Sequence, residues 1–356
     1  MRVLHVDSAR GWRGGQSQVL LSAAGMAARG HDVALACRAG GVLEQRARAA
    51  GLDVHPVPFG GDLSPWAALA LRRVVARARP EVVQLHDPHA VGAAFLPVRL
   101  GRLRAVATRR VDFPLRGALS RLKYAGCGRV IAVSRAIASV LAGAGLGPER
   151  VRVVYEGVPD RAPQPGGRDV LAGLGVPDDA LVVGNVAALT DHKDHATLLE
   201  AAPRVLARAP SARFVVFGEG ELRASLEARA RTLGLGERWI FGGFRADLDR
   251  ILPAFDVFCL SSKTEGLGTS LLDAMAFSRP VVATAAGGIP EAVEDGVTGR
   301  MVPPRDPAAL AEALAAVLLD PALRERYGAA GRRRFLDRFT ADRMVEETVH
   351  VYEEVL

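Results

Sequence analysis

Residues 257 to 306 read VFCLSSKTEGLGTSLLDAMAFSRPVVATAAGGIPEAVEDGVTGRMVPPRD, and this stretch decides the fold. The apolar run VFCL has strand character, and the loop after it carries Gly266 and Gly268. A helical stretch then runs from about Thr269 to Phe277. A second β-branched run follows at 280 to 284, then a glycine turn at Gly287 and Gly288 entering a short helix with Pro290 at its start, then a third run near 300 to 302. Strand, loop, helix and strand in this rhythm make a parallel sheet with crossover helices. The free amides at the start of the Thr269 helix form a ready site for a diphosphate. Glu265 stands just before that turn, and Asp273 lies one turn into the helix on the side of Thr269. A carboxylate there can accept from both hydroxyls of a ribose. The same residues also have a plain structural reading. Ser270 and Asp273 fit a variant capping box, Glu265 fits a solvated loop acid, and Gly287 to Glu291 fit an ordinary helix start.

Outward from this segment the pattern repeats. Strands are expected near 3 to 7, 32 to 37, 53 to 57, 82 to 86, 104 to 108, 129 to 133 and 151 to 155. A second series is expected near 181 to 187, 213 to 217, 239 to 242, 256 to 260, 280 to 284 and 300 to 302, with helices such as 195 to 209 and 221 to 233 between them. RAPQPGGRD, residues 161 to 169, has no periodicity and is the expected linker. The fold class is therefore α/β, with two Rossmann-like, doubly wound domains over 1 to 163 and 164 to 338. In such sheets ligands bind beyond the carboxyl ends of the strands, which predicts a site in a cleft between the two. Residues 339 to 356 form a terminal helix whose stripe of Val345, Val349, Tyr352 and Leu356, flanked by Met344 and Val355, needs a surface to bury it.

The chain has 356 residues, with 49% hydrophobic and 24% charged, the composition of a globular protein. No apolar run approaches the ~20 residues that span a bilayer. Met1 leads directly into VLHVD without a signal-peptide pattern, so the expected location is the cytoplasm. Cys37, Cys127 and Cys259 have neither disulfide nor zinc spacing and read as buried thiols. The net charge of +7 is unevenly placed. Between residues 99 and 129, Arg99, Arg102, Arg104, Arg109, Arg110, Arg116, Arg121, Lys123 and Arg129 face only Asp112. This points to an anionic partner, a phosphorylated acceptor or membrane headgroups, set against a merely solvated basic face. No nucleic-acid recognition motif accompanies the charge. Arg so outnumbers Lys that the surviving Lys193 and Lys263 stand out as positions where shape matters.

Two further motifs carry chemistry. GWRGGQ, residues 11 to 16, follows the first strand and precedes a helix, where amides and dipole can receive an anion. Its spacing is not the dinucleotide fingerprint, and a tight turn explains it equally well. QLHDPHA places His86 and His89 at a strand end, where either imidazole can meet a hydroxyl or serve only the core. Arg109 and Arg110 end another strand of the first half.

These segments together resemble the retaining family 4 glycosyltransferases of the bacterial cell-surface polysaccharide type, which have the GT-B fold of two facing Rossmann-like domains. RGGQSQVLLSAAGMAARGHDVALAC resembles the family's Gly-Gly loop, first helix and second strand. VVQLHDPHA resembles its acceptor-side histidine strand, and GNVAALTDHKDHATLLEAA its donor-phosphate loop. The 261 to 306 segment resembles its carboxyl-terminal signature. The resemblance implies an N-terminal acceptor domain, a C-terminal nucleotide-sugar domain and a terminal helix crossing back onto the first. It implies transfer of a hexose-type sugar from a nucleoside diphosphate donor to a glycan, lipid-linked or otherwise anionic acceptor. Retention of configuration, no metal and no cofactor come with it, and a UDP-sugar is favoured over a GDP- or ADP-sugar. Retention would proceed by attack on the face of departure, a phosphate oxygen taking the acceptor's proton.

Residue by residue, the resemblance puts Lys193 and the amides of Gly266, Leu267, Gly268 and Thr269 on the donor diphosphate, with Gly15 closing from the other domain. It puts Asp273 on the ribose, Glu265 and His86 on the sugar as catalytic positioning groups, and His86, Arg109 and Arg110 on the acceptor. Four positions depart from the pattern. Asp273 shortens the second glutamate of the family's pair, Ala188 replaces an arginine, Gln84 replaces the first histidine of its strand, and Glu156 stands where asparagine is usual. The rival readings are another GT-B enzyme such as an epimerase or phosphorylase, a dinucleotide-dependent dehydrogenase, and a non-catalytic two-lobed sugar-binding protein. A contact of the basic first domain with the inner face of an anionic membrane completes the expectation.

Overall fold

The computed structural model describes residues 1–60, 64–100, 102–115 and 117–356. Arg116 of the basic segment lies outside the described residues. Two compact units emerge, one of Met1–Gly157 with Ala341–Leu356, the other of Val158–Thr340.

The first unit holds β1 (Arg2–Asp7), β2 (Asp32–Arg38), β3 (Asp53–Val57), β4 (Val82–Leu85), β5 (Ala105–Arg109), β6 (Arg129–Ala132) and β7 (Val151–Val153). Among the described residues they form one sheet in the order β3-β2-β1-β4-β5-β6-β7, with every pairing parallel. The second unit holds β8 (Val182–Val186), β9 (Arg213–Phe217), β10 (Trp239–Gly243), β11 (Val257–Leu260), β12 (Val281–Thr284) and β13 (Gly299–Val302), ordered β10-β9-β8-β11-β12-β13 and again parallel. The central strands are buried on both faces, because crossover helices cover each side, so they read as near-continuous apolar runs, with His5, Gln84 and Asn185 as buried polar exceptions. Each order reverses direction once, between β1 and β4 and between β8 and β11. A crevice opens at such a point because the loops on either side leave for opposite faces.

The expected strands are all present, with ends shifted by a residue or two. The domain boundaries differ more. The first unit ends at Gly157, and residues 158 to 163 belong to the second. Val158 donates its amide to the Phe339 carbonyl at 3.0 Å, and Asp160 makes a two-pronged ion pair with Arg332, at 2.7 and 3.0 Å. Residues 161 to 169 are thus not a free linker, and Gly167–Ala172 is helical. Composition marked the segment as irregular, but Arg161 meets Asp273, Gln164 the Asp249 carbonyl and Arg168 the Asp256 carboxylate, all too distant in sequence for a local signal.

The helix Ala341–Glu353 packs against Gly14–Ala28. It buries Met344, Val345, Thr348, Val351 and Tyr352, whereas Leu356 of the expected stripe lies beyond the helix and is exposed. Tyr352 donates its hydroxyl to Gln84 Oε1 at 2.5 Å, and the Gln84 amide nitrogen donates to Thr108 Oγ1 at 2.9 Å. Gln84, the departure from the family's histidine, therefore joins the terminal helix to β4 and β5. The three cysteines are buried free thiols. No helix among the described residues is long and apolar enough to cross a membrane.

Candidate active site

In the second unit two loops leave the β8/β11 switch point. After β8 the chain turns through Asp191–Lys193 and Asp194, whose φ of 50° starts the helix His195–Arg208. After β11 it runs through Ser261 to Gly268 into the helix Thr269–Ala276. The loops are laced together in both directions. Lys193 Nζ donates to Glu265 Oε2, while Lys263 Nζ donates to Asp191 Oδ1 at 2.7 Å. The Lys263 amide donates to the His192 carbonyl at 2.8 Å, and Ser261 Oγ to the carbonyls of Lys193 and Asp194 at 3.2 and 3.0 Å. Both lysines of this unit thus reach from one loop to an acid of the other, a task suited to a compact ammonium on a flexible stem.

Glu265 is not a solvated acid. Its Oε2 also accepts from Ser262 Oγ at 3.2 Å, and its backbone is clamped by the second glycine turn. Gly287 has a φ of +51°, and a Cβ there would stand 1.9 Å from the Glu265 carbonyl oxygen; the Gly288 amide donates to that same oxygen at 3.0 Å. The turn that local chemistry explains as a helix start therefore also fixes the height of Glu265. The Thr284 hydroxyl holds the Ser262 carbonyl at 2.6 Å, completing the support.

The helix Thr269–Ala276 opens at Gly268, φ 94°, and no side chain caps it. The capping box of Ser270 and Asp273 does not form. Its first amides lack side-chain acceptors, so the positive end of the helix is open to an anion. Gly266, Leu267 and Gly268 are buried, which confines their part in any donor site to the backbone. Asp273 lies on the helix with its side chain 13% exposed, 3.5 Å from Arg161. Burial pushes its carboxyl up to about 6, against the opposing pull of Arg161. Asn185, the chain's single asparagine, ties β8 to β11 and to the helix His195–Arg208. It donates to the Cys259 carbonyl at 2.8 Å and accepts at 3.1 Å from His195 Nε2, which burial pushes down to about 4 and keeps neutral.

The first unit's switch point holds a different cluster. His5 on β1 and His86 beyond β4 stack with centroids 5.2 Å apart, and His5 Nδ1 lies 2.9 Å from His86 Nε2. Arg110 stands 3.3 Å from His86 Nδ1, donates to the His86 carbonyl at 3.2 Å, and sends its Nε to Glu156 Oε1 at 2.9 Å. A guanidinium has no acceptor, so His86 Nδ1 must accept and its proton must sit on Nε2, donated to His5. Burial first, then the Arg110 charge, pushes His5 down to about 3 and His86 well below its usual range, so both rings are neutral. Both ring nitrogens of His86 are therefore engaged by protein. In this arrangement neither His86 ring nitrogen is free for a sugar hydroxyl, and Arg110 is the charged group beside it.

Gly15 belongs to this cluster, since a Cβ on it would come 3.8 Å from Arg110 Cδ. Arg109 does not. It is 4% exposed, donates to the Phe113 carbonyl and lies over the Tyr124 ring, so the expectation that it meets an acceptor is corrected to a core role. Arg109 is the last residue of β5 and Arg110 the first beyond it, so their side chains leave in different directions. His89 is exposed at the start of a short helix capped by Asp87, which also receives the amide and hydroxyl of Ser8 at 2.7 and 2.6 Å. The sequence reading missed His5, the Glu156 pairing with Arg110, and Arg161. Only Glu156 gave a signal, as a charge where the family has an amide.

Among the described residues no three His, Cys, Asp or Glu side chains cluster as metal ligands. Two parallel-sheet units, one of them presenting an uncapped helix beside a lysine and a paired glutamate, define a nucleotide-binding class of α/β protein. The family model for Glycosyl transferases group 1 matches residues 170–334, and that for Glycosyltransferase Family 4 matches residues 12–161. The chain belongs to this glycosyltransferase family. It is 33% identical over 178 residues to the putative glycosyltransferase EpsD of Bacillus subtilis, a match covering 50% of this chain and 46% of that one. The chain thus spans about half the length of that curated relative. It is 29% identical to the lipopolysaccharide core biosynthesis glycosyltransferase LpsE of Rhizobium meliloti, over 78% of this chain and 77% of the relative. The fold matches the crystal structure of Anabaena HepE in complex with UDP and glucose, with a TM-score of 0.88, 21% identity and 99% of each chain covered.

Proposed function

We propose that the chain transfers a hexose-type sugar from a nucleoside diphosphate donor, UDP-sugar first, to a glycan or lipid-linked acceptor, with retention and without a metal. The observation that carries this reading is the meeting of Lys193 and Glu265 beside the uncapped start of the Thr269–Ala276 helix. As the bond to the anomeric carbon breaks, negative charge grows on the departing pyrophosphate. Preorganised amides and an ammonium stabilise it where it forms. Lys193 supplies that ammonium alone, since Ala188 brings no charge. Glu265 gives Oε2 to Lys193 and Ser262, which leaves Oε1 for a hydroxyl of the sugar. Asp273 accepts from the ribose. The naming of UDP rests on the family resemblance and on the UDP bound in the HepE structure.

On the acceptor side Arg110, oriented by His86 and Glu156, is the cation for an anionic acceptor. The first unit also exposes Trp66 at 72% and Leu96 at 64%, with Leu69, Leu100, Phe113 and Leu122. The helices that carry most of these send their buried residues into one core, and Arg72, Arg73, Arg99 and Arg121 of the same helices are exposed as well. Helices that expose both apolar side chains and arginines suit the headgroup region of an anionic membrane, where a lipid-linked acceptor would be met. The test is a thermal-shift screen of UDP-, GDP- and ADP-sugars, followed by product analysis. A UDP-sugar is expected to raise the melting temperature most and to yield the same anomer in the product. An inverted product, or stabilisation by none of them, overturns the reading.

A further inference from the structure

Arg161 lies in the segment that enters the second unit, and this segment is fastened to the Thr269–Ala276 helix at two points. Near the helix end, Asp160 pairs with Arg332, which donates from the same nitrogen to the Ala276 carbonyl at 2.9 Å. One turn earlier, Arg161 reaches Asp273 Oδ1 at 3.5 Å with its own side chain 41% exposed. Among the described residues no other hydrogen bond or ion pair engages the Asp273 carboxylate, although that side chain is largely buried. A buried carboxylate with one long contact and one idle oxygen has acceptor capacity that its surroundings leave unfilled.

We propose that Arg161 is a positioning residue for the nucleotide: it pairs with Oδ1 of Asp273, turning the shortened carboxylate so that Oδ2 accepts from the ribose hydroxyls. The argument is one of reach. An aspartate arm is one methylene shorter than the glutamate at this position in the family, so it has less freedom to find the ribose unaided. A guanidinium neighbour restricts its rotation and opposes the loss of charge that burial favours. The inference rests on the reading of Asp273 as the ribose contact.

Titration calorimetry of the full chain with UDP, 2′-deoxy-UDP and 3′-deoxy-UDP tests both at once. Wild type is expected to bind UDP about tenfold or more tightly than the better deoxy analogue, the effect of a hydrogen bond to a charged acceptor. Arg161→Met is expected to shrink that ratio to about twofold, and Arg161→Lys to restore at least half of it. Asp160→Asn, which loosens the neighbouring tie, is expected to leave the ratio unchanged while lowering the melting temperature. A wild-type ratio that survives in Arg161→Met overturns the positioning role and leaves the ribose reading intact. A ratio near one in wild type, or one unchanged in Asp273→Asn, overturns the ribose reading and the inference with it.

Discussion

Lys193 and Glu265 lean on one another, yet removing either leaves a different wound. On the proposed reading, Lys193→Ala takes the ammonium from the departing pyrophosphate, and Glu265→Ala takes the sugar contact. Each is expected to lower transfer by ~10²-fold or more with the fold intact, read as initial rates and circular dichroism. Wild-type rates in both variants would remove the site. Asp273 makes a separate prediction through its protons. Its folded carboxyl titrates near 6 against an ordinary 3.8, so the folded state holds the proton more tightly than the unfolded one. The stability this confers is present below about pH 4 and is lost as pH rises through 6. Asp273→Asn should therefore melt roughly 2 °C or more above wild type at pH 8, the gap closing near pH 4. The same variant should bind nucleotide more weakly at pH 8. Sequence reading found Lys193, Glu265 and Asp273 because glycine turns and a helix start surround them. It missed His5 and Arg161 because each acquires its meaning from a partner 81 or 112 positions away.

At the scale of elements, the Gly287 and Gly288 turn is the support that local chemistry could not reveal. A glycine before a proline-bearing helix start explains itself, and nothing nearby in the sequence mentions Glu265. The left-handed backbone and the 1.9 Å approach make Gly287→Ala doubly unfavourable. It should cost about 2 kcal/mol or more in urea unfolding and raise the donor KM, because the Glu265 carbonyl must retreat. An unchanged KM would mean the turn does not set the loop. The strands, by contrast, were legible throughout: a parallel sheet covered on both faces favours near-continuous apolar runs. The terminal helix was read nearly right, with its buried stripe rotated to include Val351. Tyr352→Phe should cost about 1 to 2 kcal/mol, since it strands the Gln84 oxygen, and a melting curve unmoved by it would show that bond to be idle.

For the whole molecule, the acidic terminal helix tempers the positive charge of the first unit without reversing it. The first unit, with its terminal helix, carries 24 basic and 15 acidic side chains, and the second 22 and 24. The basic unit is also the one that exposes Trp66 and Leu96. Sedimentation with phosphatidylglycerol vesicles should show binding that weakens as salt rises and falls roughly tenfold in Trp66→Ser. Equal binding to neutral vesicles would refute the anionic contact. The first unit is also discontinuous in the chain, and that has a consequence during synthesis. Val3, Met26, Val82 and Ile131 share a core with Met344, Val345 and Tyr352, which the ribosome adds only after every residue of the second unit. At ordinary translation speeds the nascent first unit waits roughly ten seconds or longer with that greasy face bare, a window in which chaperones have something to hold.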